Sequence, residues 1–306
     1  MFDIVLSLAP IFALIMLGYA LKHLAWVPED FWASAERMTY YIFFPALLIS
    51  NTAKADLAGV DIGTLALALV IPLFFVSAAS VLTRGLTKSD GPSFTSVFQG
   101  NIRPNTYVGI AAAFALFGDP GLTLTAVAIV LCVPTVNVFS VFALVRYASP
   151  PGTSFRLRQT VLPVLRNPLI ISSLIGAAWN AGDIGSPPVV GPLLEILGRA
   201  ALPVGLMAVG AGLDIAAVRP VGRLVVLAVT TKLAVLPALT FLASWFFGLD
   251  ALATGVCVSY AALPTSISSY VLARQMGGNS ELMAGIVTAT TLVAMATIPL
   301  AISLLN

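Results

Sequence analysis

Apolar residues gather in ten long runs parted by short polar connections. The runs cover approximately residues 4–24, 34–54, 62–83, 94–117, 121–146, 163–182, 188–213, 222–247, 250–276 and 280–305. Each matches the roughly 20 residues that a helix needs to cross the hydrocarbon core of a bilayer. The pattern predicts an all-α polytopic membrane protein with ten transmembrane helices. The longest polar connection, Tyr147 to Thr160, carries Pro150, Pro151, Gly152, Arg156 and Arg158. It divides the chain into residues 1–146, a linker over 147–160, and residues 161–306, with five runs on each side.

Two runs are interrupted halfway. The fourth carries Asn101-Ile-Arg103-Pro104-Asn105-Thr106-Tyr107 at its middle, and the ninth carries Leu263-Pro264-Thr265-Ser266. Proline lacks an N–H and clashes with the preceding turn, so each helix should break there. The freed backbone groups cannot face lipid, so the breaks must be buried or line a wet cavity. Paired interrupted helices in two halves of a chain are a pointer to the binding site of a transporter.

The halves look related. Pro45 leads to Asp56 and Pro203 leads to Asp214, each eleven residues on, at an offset of 158. Pro104 leads to Gly118 and Pro264 to Gly278, at an offset of 160. Two anchors at nearly one offset argue for an internal repeat. A repeat of five spans must be inverted in the membrane, because five is odd.

Basic residues fix an orientation. Lys22, Arg37, Arg84, Lys88, Arg146, Arg156, Arg158, Arg166, Arg219, Arg223 and Arg274 fall at the odd-numbered connections, eleven in all, against Lys54 alone at the even ones. By the positive-inside rule the odd connections are cytoplasmic and both termini lie outside. A composition 59% hydrophobic and 9% charged, with mean hydropathy +1.01, agrees with a membrane protein. Cys132 and Cys257 lie within spans and form neither a disulfide framework nor a metal-ligand spacing. Asp3 and the lack of a basic leader predict that the first span is retained.

Few charges are embedded. Arg103, Arg199 and Lys232 fall inside spans, with Glu195 as the one comparably deep acid. Glu195 and Arg199, at i and i+4, are expected to pair with each other. Arg103 and Lys232 have no evident partner. An unpaired intramembrane cation is by default a functional group, here one that attracts an anion. Arg103 has an alternative role, capping carbonyls where the first half-helix ends. For Lys232 the alternative is snorkelling, which its depth disfavours. Asn105, Thr106, Thr265 and Ser266 can cap the second half-helices, whose N–H groups favour a carboxylate. Tyr107, Tyr260, Ser268 and Tyr270 add hydroxyls, for which helix packing is the plainer role. Asn137, in the span after the first break, joins them; Asn51 and Asn180 rank lower. The expected binding set is Asn101, Arg103, Pro104, Asn105, Thr106, Tyr107, Asn137, Lys232, Tyr260, Pro264, Thr265 and Ser266.

These spans, the Pro45 and Pro203 motifs, and the two proline breaks resemble the auxin efflux carrier family over essentially the whole chain. The resemblance implies an inverted-repeat fold whose broken helices cross at mid-membrane. It further implies a scaffold of spans one, two, six and seven, a moving domain of the others, a homodimer through the scaffold, and elevator-type alternating access. The short basic linker places the chain nearer the bacterial malate and malonate permeases than the plant carriers, and hence in a bacterial inner membrane.

The reading is a secondary carrier for small organic anions, mono- or dicarboxylates, needing no cofactor and no nucleic acid. A sodium- or proton-coupled symporter or antiporter of related fold is the alternative, and the coupling ion stays open. An enzyme is disfavoured: the sole histidine, His23, lies at the end of the first span, and no HExxH or Ser–His set appears.

Overall fold

The computed structural model describes residues 2–55, 61–148, 162, 165–218 and 222–305. Among these, six helices are long and apolar enough to cross a membrane: Phe2–His23, Ile62–Leu82, Thr106–Tyr147, Val190–Ala211, Arg223–Phe246 and Ser280–Ser303. The remaining apolar runs are helical but shorter or interrupted.

In chain order α1 is Phe2–His23, α2 Glu29–Met38, α3 Phe44–Lys54, α4 Ile62–Leu82, α5 Gly91–Ile102 and α6 Thr106–Tyr147. Then come α7 Pro168–Ala181, α8 Val190–Ala211, α9 Arg223–Thr230, α10 Leu236–Phe246, α11 Ala251–Ala261, α12 Ser268–Met276 and α13 Ser280–Ser303. Between α2 and α3, and between α9 and α10, the helix continues through a widened π turn, Thr39–Phe43 and Thr231–Val235. A proline follows each turn at the second helical position, Pro45 and Pro237. A missing N–H leaves a carbonyl one turn back without its usual donor, and a π turn is one way to reseat the ladder.

Side chains at the helix starts explain the boundaries. Asp61, Asp90, Asn105, Asn167, Asp250 and Asn279 each accept a backbone N–H from the first turn of the helix that follows. Such a cap contributes about 1 kcal/mol. The cap at Asn167 sets the start of α7 at Pro168, five residues beyond the expected 163. In α6 two expected spans run together, and Gly118, with φ +64° and ψ −152°, marks the bend between them. Gly277, at φ +80°, closes α12 near the matching place in the second half. Asp214 is described and caps a short turn through Ala217 N–H. Its expected counterpart Asp56, and the linker residues from 149 to 160, lie outside the described residues.

Helix packing falls into two groups. In one, α1 lies along α8, and α3 lies along both α7 and α8. In the other, α4, α6, α9, α12 and α13 pack on α5, and α10 and α11 join them through α4 and α6. The α1–α8 contact is close because it is lined by glycine. A Cβ at Gly210 would run into the Ile15 carbonyl, and one at Gly18 into the Met207 backbone. Small residues are how membrane helices approach backbone to backbone.

The expected Glu195–Arg199 pair does not form. Glu195 is paired with Lys54 at the end of α3, and both side chains are about half exposed, 40% and 53%. Arg199 points outward from α8 and is exposed. Two residues one turn apart on a helix are neighbours, but α3 packs on α8 and brings Lys54 in with better geometry.

Candidate functional site

The two breaks meet. Helix α5 stops at Ile102, Arg103 turns extended at φ −85° and ψ 109°, and α6 restarts at Thr106. Helix α11 stops at Ala261 and α12 begins at Ser268. Between them Pro104 and Thr265 form an isolated antiparallel bridge. The Asn105 N–H donates to the Pro264 carbonyl at 2.8 Å, and the Ser266 N–H donates to the Arg103 carbonyl at 3.1 Å. Each break therefore satisfies the backbone groups that the other exposes, as buried irregular backbone requires.

Side chains lock this crossing. Thr265 is fully buried; its hydroxyl donates to the Gly100 carbonyl at 2.9 Å and its N–H donates to the Thr290 hydroxyl at 3.0 Å. Asn105 caps α6 by accepting from the N–H groups of Tyr107 and Val108. The expectation that Thr265 and Ser266 cap the second half-helix is corrected here. No side chain caps α12; Thr265 is spent on the crossing, and the Ser266 hydroxyl pairs with that of Ser268 at 2.9 Å.

A cavity of about 770 Å³ reaches the crossing. Arg103, Pro104, Asn105, Thr106, Tyr107, Asn137 and Ser266 all line it. So do Val145, Asn167, Gln275 and Met276, which stand at helix ends adjoining the basic connections. The cavity lies between the two packing groups: Tyr40 and Tyr41 face it from the π turn before α3, and Ala208 and Val209 from α8. Tyr107 stacks on Phe44 across that boundary, with ring centroids 4.6 Å apart.

Arg103 is the charge at the crossing itself, and Glu36 and Arg37 line the same cavity farther along its wall. Arg103 is 8% exposed. Its Nη1 donates to Asn137 Oδ1 at 2.8 Å and its Nη2 to Ser268 Oγ at 3.1 Å, while Nε is buried without a partner. Both partners are neutral, and no carboxylate forms an ion pair with it among the described residues. The guanidinium is thus oriented by dipoles and keeps its charge uncompensated. It does not cap the carbonyls of α5. A planar donor fork held this way suits a carboxylate.

The other expected residues are placed elsewhere. Asn101 lines a separate cavity of about 360 Å³ and donates to Ser80 Oγ at 3.0 Å. Pro264 and Thr265 belong to the crossing but not to the wall of the large cavity. Lys232 and Tyr260 sit together behind the crossing, away from that cavity. Sequence reasoning did not single out Glu36, Arg37, Tyr40 and Tyr41 as wall residues. The one local signal was the tyrosine pair just before Phe44-Pro45, which reads equally well as an interfacial belt.

A family described as "Membrane transport protein" matches residues 140–302, more than half of the chain. The chain belongs to this family, the auxin efflux carriers, and is a membrane transporter rather than an enzyme. It is 27% identical over 305 residues to a Rhizobium meliloti (strain 1021) protein named "Putative malonate transporter", covering 94% of this chain and 92% of that one. It is 22% identical over 296 residues to an "Uncharacterized transporter" of Methanothermobacter thermautotrophicus, covering 95% and 94%.

Proposed function

We propose that this transporter is a secondary carrier for small organic anions, mono- or dicarboxylates, and that the substrate carboxylate docks on Arg103 at the crossing. The carrying observation is the Arg103 guanidinium, buried at the cavity wall on neutral partners only. Burying a charge costs several kcal/mol unless an opposite charge offsets it. A carboxylate that enters the cavity supplies that charge, with Asn105, Thr106, Asn137, Ser266 and Ser268 as neighbouring polar groups. The name of the Rhizobium relative supports a short dicarboxylate as the first substrate to try.

In this reading the two five-span halves form an inverted repeat, and the cavity opens to the cytoplasm, since its outer wall adjoins the basic connections. Movement of the α4–α6 and α9–α13 group against the α1–α3, α7 and α8 group then carries Arg103 and its ligand across. The latter group is the natural contact for a second copy in a bacterial inner membrane. An inside-negative potential of 100 mV favours anion exit by about 2.3 kcal/mol per charge.

Counterflow of labelled malonate, malate, acetate and lactate in proteoliposomes tests the reading. A carrier shows saturable exchange with at least one of them. Flux that never saturates identifies a channel, and binding without flux a receptor; either outcome overturns the proposal.

A further inference from the structure

Five residues of the large cavity's wall, Ala33, Glu36, Arg37, Tyr40 and Tyr41, come from α2 and the π turn that continues it. They recur at i, i+3, i+4, i+7 and i+8, which is one face of a helix. Trp32 and Ala35 are buried on another face, and α2 packs on α8. A whole helix face therefore borders the cavity, and it brings the one carboxylate in that wall among the described residues, Glu36. Glu36 and Arg37 are both exposed. Neither is paired: the ion pairs among the described residues are Lys22–Glu29 and Lys54–Glu195. Tyr107, beside Arg103 at the crossing, feels the Glu36 carboxylate, and Tyr40, one turn beyond Glu36, feels the Arg103 charge. The field of the acid thus reaches the place where an anion would dock.

A carboxylate in the wall of an anion site weakens every anion that enters, so what it can contribute is discrimination. Specificity is a difference of affinities, and a repulsive group builds it as well as an attractive one. An exposed carboxylate is ionised at neutral pH. The charged groups of the wall are then Arg37, Arg103 and Glu36, a net of one positive charge. A singly charged carboxylate balances that net charge. A dianion leaves one negative charge over, in a cavity that already holds Glu36. We propose that Glu36 sets the charge preference of the cavity, favouring carboxylates with one negative charge over those with two, and that Arg37 opposes it. The proposal rests on the carrier reading and narrows its substrate class. Glu36 and Arg37 belong to the α1–α3 group and Arg103 to the other, so the selection acts in the arrangement in which the two groups share this cavity.

Two probes of one skeleton test this: malonate, a dianion at neutral pH, and its monoamide malonamate, a monoanion. The wild type should bind malonamate more tightly. Glu36→Gln should move the ratio of the two affinities toward malonate by about 3- to 10-fold, the effect of one unit charge across a wet cavity. Arg37→Gln should move it the opposite way, and Glu36→Asp, which keeps the charge, should hold the wild-type ratio. Because Glu36 is exposed and unpaired, its replacement should change Tm by no more than about 2 °C. A wild type that prefers malonate overturns the proposal, as does an unchanged ratio in Glu36→Gln or an equal loss for both probes. A second arm needs no substrate. Val271 of α12 lines the same cavity, and the native Cys132 and Cys257 are buried. In Val271→Cys, adding Glu36→Gln should speed an anionic thiosulfonate reagent several-fold relative to a cationic one. Unchanged relative rates overturn the proposal. The reagents read the charge of the cavity whatever the counterflow panel finds, so failure here and failure of the carrier reading are told apart.

Discussion

The backbone N–H of Asn105 donates to the carbonyl of Pro264 at 2.8 Å, although the two residues come from opposite halves of the chain. With the reciprocal bond from Ser266 to Arg103 it turns two helix breaks into a single fixed element. Arg103 therefore depends on the second half of the chain for its position as much as on α5. The hydroxyl of Thr290, on α13, is part of the same support because it accepts the Thr265 N–H.

Thr290→Val should accordingly leave that buried N–H unpaired and cost about 1–3 kcal/mol. Thr265→Val removes the donor to the Gly100 carbonyl and should cost a similar amount. Because both act on one crossing, their effects on Tm should not add in the double variant. Strict additivity in thermal unfolding would show that the two threonines support separate elements.

The crossing was legible in the sequence because proline has only a few physical uses. Pro104 and Pro264 remove donors in runs too long and apolar to be loops, and buried carbonyls need partners. The one-sided placement of lysine and arginine sets an orientation to be tested by labelling. Pairings that depend on how helices pack were not legible. Glu195 was assigned to Arg199 by spacing along its own helix, whereas α3 brings Lys54 to it. Lys232 shares the depth of Arg103 along the chain but faces the back of the crossing, and depth alone does not give direction. The tyrosines at 40 and 41 reach the cavity through a π turn, a backbone feature that periodicity does not encode.

The Lys54–Glu195 pair is half exposed, so it should contribute little. Lys54→Met and Glu195→Gln should each change stability by no more than about 1 kcal/mol, a few degrees in Tm. Arg199→Gln should leave the pair intact. A much larger loss for Glu195→Gln than for Lys54→Met would point to a further partner for the carboxylate.

Topology is open to labelling. Gly85 lies on an odd connection, where an added Cβ meets nothing within 4 Å, and Asp250 lies exposed on an even one. The native Cys132 and Cys257 are buried and give little background. With both termini outside, a membrane-impermeant maleimide should label Asp250→Cys in intact cells and Gly85→Cys only after permeabilisation. Labelling of both from outside would reject the orientation.

The guanidinium of Arg103 supports the sharpest prediction. Arg103→Gln keeps donors of similar reach and removes the charge. Charge-assisted bonds contribute about 1.5–3 kcal/mol, so carboxylate affinity should fall roughly 10- to 150-fold while Tm changes little. Arg103→Lys should recover part of the loss, because it keeps the charge and gives up the planar fork. Asn137→Asp attacks the same charge while leaving Arg103 in place. It sets a carboxylate against Nη1, where a neutral oxygen now stands at 2.8 Å. That internal anion competes with the substrate, so affinity should fall by a comparable factor even though the protein gains an ion pair. Substrate affinity and Tm measured for all three variants in one detergent check this. Unchanged affinity in folded Arg103→Gln and Asn137→Asp proteins would remove Arg103 from the substrate site.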